Sequence, residues 1–228
     1  MFDDALPADF ALESGDPREP SLPLFPQELS LVASAVDKRR LEFGRGRQCA
    51  RAALRRLGVP DAPLLSGEQR EPLWPAGVVG SITHTHGLCV AAVGLRSIYA
   101  GVGIDVEPEA PLTRAIAERV ATATEMSALD SLPNLLAARV IFSAKEAFYK
   151  CQFYRSRQFL GFFDVSVMLE AGGEFLVELL VDAGPFVSGE RFRGRWRRRG
   201  GFLFTAIHLP NDEAGTKSDT ESDSVAVT

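Results

Sequence analysis

Residues 101–111, GVGIDVEPEAP, restrict the fold more than any other stretch of the chain. In an extended conformation Val102, Ile104 and Val106 share one face, and Gly103, Asp105 and Glu107 share the other. Two carboxylates on one face of an otherwise apolar strand repel each other and resist burial unless an opposite charge lies over them. Such a strand must pack its apolar face on a core and turn its acids toward a cation or toward water. An edge strand with both acids solvated satisfies the same pattern.

A second stretch, ARVIFSAKEAFYKCQ (residues 138–152), reads as a helix. Val140, Ile141, Ala144, Ala147, Phe148 and Cys151 form one apolar stripe. Glu146 and Lys150 lie about 40° apart on the opposite side, one turn from each other, and Lys145 projects on a separate flank. Taken alone, Glu146 and Lys150 are an ordinary surface pair. Set beside Asp105 and Glu107, they complete three carboxylates with an adjacent lysine, a donor set suited to Mg²⁺ and phosphate, because Mg²⁺ takes oxygen ligands from a few carboxylates and from substrate phosphates.

The strand GSITHTHG (residues 80–87) places Ser81, Thr83 and Thr85 on one face and Ile82, His84 and His86 on the other. Alternate histidines can meet one zinc ion, but no third histidine or cysteine follows at a useful spacing. A threonine hydroxyl and a histidine N–H suit a phosphate, from Thr83 and His84; a structural histidine near a turn is the other reading. Upstream, Lys38, Arg39, Arg40, Arg45, Arg47 and Arg51 form a basic set in which Arg47 and Arg51 are one helical turn apart. Such arginines fork onto phosphate or simply face water.

Element order sets the class. Residues 1–26 carry five prolines and read as irregular. A helical pattern runs from Pro26 to Leu57, interrupted near Gly44 and Gly46, and residues 61–77 read as loop. Two strands hinged near His86–Gly87 and the opening strand follow, then a helical region from about Arg114 to Phe153 broken near Leu132–Pro133. DVSVMLE, EFLVELL, RFRGRW and GFLFTAIHL read as strands. Helices then strands, twice over, predict an α+β fold of two similar halves, residues 1–100 and 101–210, with a disordered acidic tail over 211–228.

The net charge of −5 is concentrated in that tail, whose eighteen residues hold five acids and one lysine. The remainder is near neutral, so charge points to neither a nucleic-acid binder nor a polyanionic protein. Cys49, Cys89 and Cys151 fit no disulfide or zinc spacing and read as reduced thiols. The acidic, proline-rich start lacks the basic and apolar regions of a signal peptide, and no apolar run approaches the ~20 residues that cross a bilayer. These features point to a cytoplasmic protein without a membrane partner.

In order along the chain, these stretches resemble the 4′-phosphopantetheinyl transferases. Gly103, Asp105 and Glu107 match the family's Gly-x-Asp-x-Glu strand. Phe142, Lys145, Glu146 and Lys150 match its Trp/Phe-x-x-Lys-Glu-x-x-x-Lys helix, and Ser81, Thr83 and His84 its Ser-x-Thr/Ser-His motif. KRRLEFGRGRQCARAAL and EPLWPAGVVGS are similar to the large monomeric class, in its enterobactin-synthase-activating and actinobacterial subgroup.

The resemblance implies a pseudo-twofold fold with coenzyme A between the halves. It implies Mg²⁺ held by Asp105, Glu107 and Glu146 against the coenzyme A pyrophosphate, with Asp105 also lining the ligand site. Arg39, Arg47, Thr83 and His84 would bind the 3′-phosphate and its neighbours, and Lys145 and Lys150 the other phosphates. Glu71, in the loop LLSGEQREP, would lie near the adenine, and Glu146, Lys150 and Asp105 would carry the chemistry, with Glu146 as the candidate base and a metal-bound or Glu146-held water as the competing one. The reaction would move 4′-phosphopantetheine from coenzyme A to a serine of an apo acyl or peptidyl carrier protein, releasing adenosine 3′,5′-bisphosphate. The six arginines from Arg191 to Arg199 offer a docking strand for an acidic carrier, or a solvated hairpin. A coenzyme A or nucleotide-binding module without transfer, and a Mg²⁺-dependent nucleotide phosphohydrolase, are the rival readings of the same residues.

Overall fold

The computed structural model describes residue 2 and residues 4–19, 23–130 and 135–211. Its elements run β1 (Ala11–Gly15), α1 (Pro26–Ser30), α2 (Asp37–Arg56), β2 (Val78–Thr85), β3 (Leu88–Leu95), β4 (Tyr99–Pro108), α3 (Arg114–Val120), α4 (Ala123–Leu129), α5 (Leu136–Ser156), β5 (Val165–Glu170), β6 (Glu174–Leu179), β7 (Arg191–Arg199) and β8 (Phe202–Pro210). They form two antiparallel sheets, one of strand order β1-β3-β2 and one of order β4-β8-β7-β6-β5. The long helix α2 packs on the first sheet, and α5 packs on β4 and β8 of the second. The α+β expectation holds.

α5 approaches β4 closely for a reason written in the sequence. A Cβ at Gly103 would stand 1.8 Å from the carbonyl oxygen of Ala147, and one at Gly101 would stand 2.5 Å from that of Cys151. Only glycine leaves room for the helix to lie directly on the strand. The glycine of the Gly-x-Asp-x-Glu stretch is thus a packing requirement, and it brings α5 within reach of Asp105.

The two sheets meet where β2 lies against β4. No ladder joins these strands; side chains replace it. The Ser81 hydroxyl accepts the backbone N–H of Ile104 (3.1 Å), and the Thr83 hydroxyl accepts that of Val106 (3.2 Å). Buried backbone donors on a strand edge need partners, and hydroxyls at every second residue of β2 supply them.

Four sequence expectations change. The N-terminal region is not wholly irregular: β1 pairs with β3, Phe2 is buried edge-on against Phe204 (ring centres 5.1 Å apart), and Phe10 packs on Tyr99. A five-residue strand gains its hydrogen bonds from a distant partner, so local pattern is a weak guide to it. α2 runs unbroken through Gly44 and Gly46 because both are buried, where a Cβ at Gly46 would crowd Ile82. The second helical region holds three helices. A capping box closes the start of α4, with the Thr122 hydroxyl accepting from Glu125 N and the Glu125 carboxylate accepting from Thr122 N. Asn211, placed in the tail by its composition, instead hydrogen-bonds the carbonyls of Ile98 and Arg96. The remainder of the tail and the break near Leu132–Pro133 lie outside the described residues.

Candidate active site

The middle of β4 presents Asp105 to α5 across the opening the glycines make. The carboxylate is buried and fully engaged. Its Oδ1 accepts from the Thr83 hydroxyl (2.9 Å) and the Lys150 ammonium (2.7 Å), and its Oδ2 accepts from the Ser143 hydroxyl (2.8 Å). Ser143 in turn lies 2.8 Å from the Thr205 hydroxyl on β8. Three strands and one helix therefore fix a single carboxylate, and Lys150, which also donates to the carbonyl of Ile104, supplies its counter-charge.

Glu107 and Glu146 flank this centre. Glu107 is ion-paired with Arg139 (2.7 Å), and burial, then the charge of Asp105, push its carboxyl above the ordinary range. Burial raises the Glu146 carboxyl as well; Lys150 pulls it down and Asp105 pushes it up. Both glutamates thus sense Asp105, but no three His, Cys, Asp or Glu side chains gather to hold a metal ion among the described residues. Asp105 is paired with Lys150, and Glu107 with Arg139. Carboxylate oxygens remain the right donors for Mg²⁺, and the mutual repulsion of these acids marks where a divalent cation would be welcomed.

The basic side of the site comes from α2 and the loop that follows it. Arg47 is buried; burial lowers its guanidinium to about 10, and it lies over the Phe43 ring. One of its terminal nitrogens donates to the Ser66 hydroxyl (2.9 Å), while its Nε is buried without a hydrogen-bond partner among the described residues. An orphaned buried guanidinium N–H is a donor waiting for an acceptor. Arg39 donates to His84 Nε2 at 3.0 Å, which leaves that nitrogen unprotonated, and burial depresses the imidazole further. Glu71 pairs with Arg157 (3.2 Å) across a cavity of about 220 Å³ that Ser81, Trp74, Tyr154 and Lys150 also line.

For two residues that the sequence reading sets on phosphates, the structure shows protein partners. The Thr83 hydroxyl donates to Asp105 and accepts Val106 N–H, and the residue is buried at the seam. Lys145 is buried as well. Its side chain is 1 % exposed and its three protons go to Val120 O, Glu125 Oε2 and Phe162 O. The β7 arginines are also less free than the sequence suggests, since Arg191, Arg193, Arg195 and Arg198 pair with Glu178, Glu170, Glu174 and Glu109.

Sequence reasoning passed over Ser143, Arg139 and Arg157. Ser143 had a findable signal, three residues before Glu146 and one turn before Ala147 on the face that meets β4. Arg157 had none: it ends α5 in the left-handed region (φ 56°), where a glycine would be expected.

Comparison with known proteins now decides the family. The profile of the 4′-phosphopantetheinyl transferase N-terminal domain matches residues 26–94, and that of the 4′-phosphopantetheinyl transferase superfamily matches residues 101–201. The chain belongs to the 4′-phosphopantetheinyl transferases. It is 40% identical over 203 residues to the 4′-phosphopantetheinyl transferase PptT of Mycobacterium tuberculosis, covering 83% of this chain and 88% of that protein. It is 41% identical over 212 residues to the 4′-phosphopantetheinyl transferase Svp of Streptomyces mobaraensis, covering 90% and 85%. Enterobactin synthase component D of Salmonella typhi is 31% identical over 202 residues, covering 82% and 81%. The protein is therefore a 4′-phosphopantetheinyl transferase, and both matched regions contribute residues to the Asp105 centre, Thr83 from the first and Lys150 from the second. Among the described residues no helix is long and apolar enough to cross a membrane.

Proposed function

We propose that this transferase moves the 4′-phosphopantetheine of coenzyme A onto a serine hydroxyl of an apo acyl or peptidyl carrier protein and releases adenosine 3′,5′-bisphosphate. The observation that carries the reading is Glu146 one helical turn before Lys150 on α5, beside the Lys150–Asp105 pair, a carboxylate whose proton affinity burial raises. A serine hydroxyl is a poor nucleophile at neutral pH and needs a base as it attacks. Glu146 takes the proton, the serine oxygen bonds to the phosphorus bearing the pantetheine arm, and the bond from that phosphorus to the bridging oxygen breaks. The electron pair leaves with adenosine 3′,5′-bisphosphate. Lys150 stands where negative charge grows.

Arg47, with its unpartnered Nε, and Arg39 are the cations available to the nucleotide phosphates, with His84 beside them and Glu71 at the adenine end. Asp105 and Glu107 would hold Mg²⁺ with coenzyme A phosphate oxygens completing its shell, as is usual for this ion. The ion would neutralise the diphosphate and polarise the bond that breaks. Leaving Glu146 outside that shell keeps it basic enough to accept a proton, since a metal-bound carboxylate is a weak base.

The test is to incubate the protein with coenzyme A, Mg²⁺ and a panel of apo carrier proteins and weigh the carriers. A phosphopantetheine mass gain that Glu146→Gln abolishes supports the reading. Cleavage of coenzyme A without any carrier would replace it with hydrolysis, and binding without either product would leave a coenzyme A-binding module.

A further inference from the structure

The inward face of β8 carries Leu203, Thr205, Ile207 and Leu209, all buried, so one hydroxyl stands in an otherwise apolar row. A buried hydroxyl costs free energy unless it is hydrogen-bonded, and valine would fill the same space without that cost. Packing alone therefore gives no reason for a threonine here. The strand register does. Thr205 is the β8 partner of Asp105 on β4, and residues directly opposite in an antiparallel pair put their side chains on one face. Both side chains meet α5 at Ser143.

Counting protons gives this row a direction. Ser143 has one, and it goes to Asp105 Oδ2 at 2.8 Å. The Ser143 oxygen is then left to accept, so Thr205 is the donor in their 2.8 Å contact, and the Thr205 hydroxyl also lies 3.0 Å from the Ser143 carbonyl. Both acceptors belong to the same residue, so either one anchors Ser143 to β8. A mid-helix serine is otherwise free to turn its proton back to the carbonyl one turn earlier. Thr205 and Ser143 are fully buried, so water offers neither proton another partner, and the β-branched Thr205 side chain is stiff at χ1. The other carboxylate oxygen, Oδ1, is met by Thr83 and Lys150. Donors on both oxygens stop the carboxylate from turning, and the hold on Oδ2 passes through Ser143 to Thr205.

We propose that Thr205 is a positioning residue for the cation site: acting through Ser143, it holds the Asp105 carboxylate in a single orientation for the Mg²⁺ that Asp105 shares with Glu107. The inference rests on the Mg²⁺ reading proposed above. It gives β8, a strand that contributes no group of its own to the substrate, a part in metal affinity.

The test is a titration of Mn²⁺, a paramagnetic stand-in for Mg²⁺, into the protein with coenzyme A present, followed by electron paramagnetic resonance against a coenzyme A blank. Thr205→Val, which keeps the shape and removes the hydroxyl, should weaken Mn²⁺ about tenfold, the scale of a lost outer partner of a metal ligand. Thr205→Ser, which keeps the hydroxyl, should stay within about twofold of wild type. Ser143→Ala should lose as much as Thr205→Val, and adding Thr205→Val to it should cost nothing further, because the path is already cut. Unchanged Mn²⁺ affinity in Thr205→Val would overturn the proposal, as would a Thr205→Ser variant as weak as Thr205→Val. Additive losses in the double variant would deny the route through Ser143 and overturn it as well. Should Thr205→Val not fold, Ser143→Ala and Thr205→Ser decide: weak binding in the first with normal binding in the second supports the proposal, and any other result overturns it. Wild-type protein that binds no Mn²⁺ would overturn the Mg²⁺ reading and this inference together. Mn²⁺ binding without carrier modification would sink the transfer reading alone and leave the variants to judge Thr205.

Discussion

The ammonium of Lys150 lies 2.7 Å from an oxygen of Asp105, tying the penultimate turn of α5 to the middle of β4. Two hydroxyls on the same carboxylate, from Thr83 and Ser143, leave the lysine as its one charged partner there. Lys150→Met keeps the length of the side chain and removes the charge. The proposed mechanism expects kcat to fall by about 10²–10³, the usual loss for one charge-stabilising donor. The change also leaves the buried Asp105 carboxylate without its counter-charge, so the melting temperature should fall too, and kcat is to be read well below the variant's melt. A variant within tenfold of wild-type kcat would remove Lys150 from the chemistry.

Gly103 tests the packing that makes the site possible. A Cβ there falls 1.8 Å from a helix carbonyl, and neither β4 nor α5 can retreat without opening the core. Gly103→Ala should cost about 3 kcal/mol or more, at the upper end of overpacking effects. Gly161→Ala, whose Cβ would meet only the Asp164 carboxylate at 3.4 Å, should change stability far less. Urea unfolding of both variants checks the contrast, and equal costs would mean that the α5–β4 approach is softer than its geometry implies.

Much of this architecture could be read directly from the chain, for identifiable reasons. Period-two alternation in residues 101–108 and 80–85 placed β4 and β2 correctly, and a 3.6-residue stripe placed α5. The placement of Asp105 and Lys150 on β4 and α5 was legible, because the period of an element fixes which face each residue occupies. Lys145 was not. Its environment is set by Glu125, twenty positions upstream, and by two carbonyls from segments with no local mark. The same holds for Thr83, whose face was read correctly but whose proton is consumed by a strand 22 residues away. Periodicity tells which way a side chain points; it does not tell what already waits there.

The pair Glu28–Arg51 carries a prediction about stability and about the basic side of the site. Glu28 is fully buried, receives Arg51 on both oxygens (2.7 and 2.8 Å), and also accepts Leu64 N (3.0 Å) and Phe25 N (3.0 Å). One carboxylate thus joins α1, α2 and the segment leading to Ser66, the partner of Arg47. Arg51→Met leaves that carboxylate buried without its cation and should cost about 3–5 kcal/mol, whereas Arg51→Met combined with Glu28→Gln should recover part of the loss. A double variant no more stable than the single one would mean that backbone donors alone satisfy Glu28.

Glu146 offers the sharpest test because activity and stability should move in opposite directions. Its carboxyl is raised above 4.5, chiefly by burial. The base form is the working form, so kcat/KM should climb with pH through an apparent value above 4.5, and an acid limb at or below 4.5 would deny Glu146 that role. Folding stability follows from the same shift with the sign worked through. A carboxyl with a raised folded-state value binds more protons folded than unfolded, so its favourable contribution is complete below 4.5 and is lost as pH rises through the folded value. At neutral pH the wild type therefore carries an ionised, half-buried carboxylate that glutamine lacks. Glu146→Gln should melt at a higher temperature than wild type at pH 7, with the gap closing toward pH 4, while transfer falls by about 10²–10⁴. Thermal melts across that pH range, run beside carrier-modification assays, check both halves. A variant that lost activity and stability together at pH 7 would show Glu146 to be a structural carboxylate and not the base.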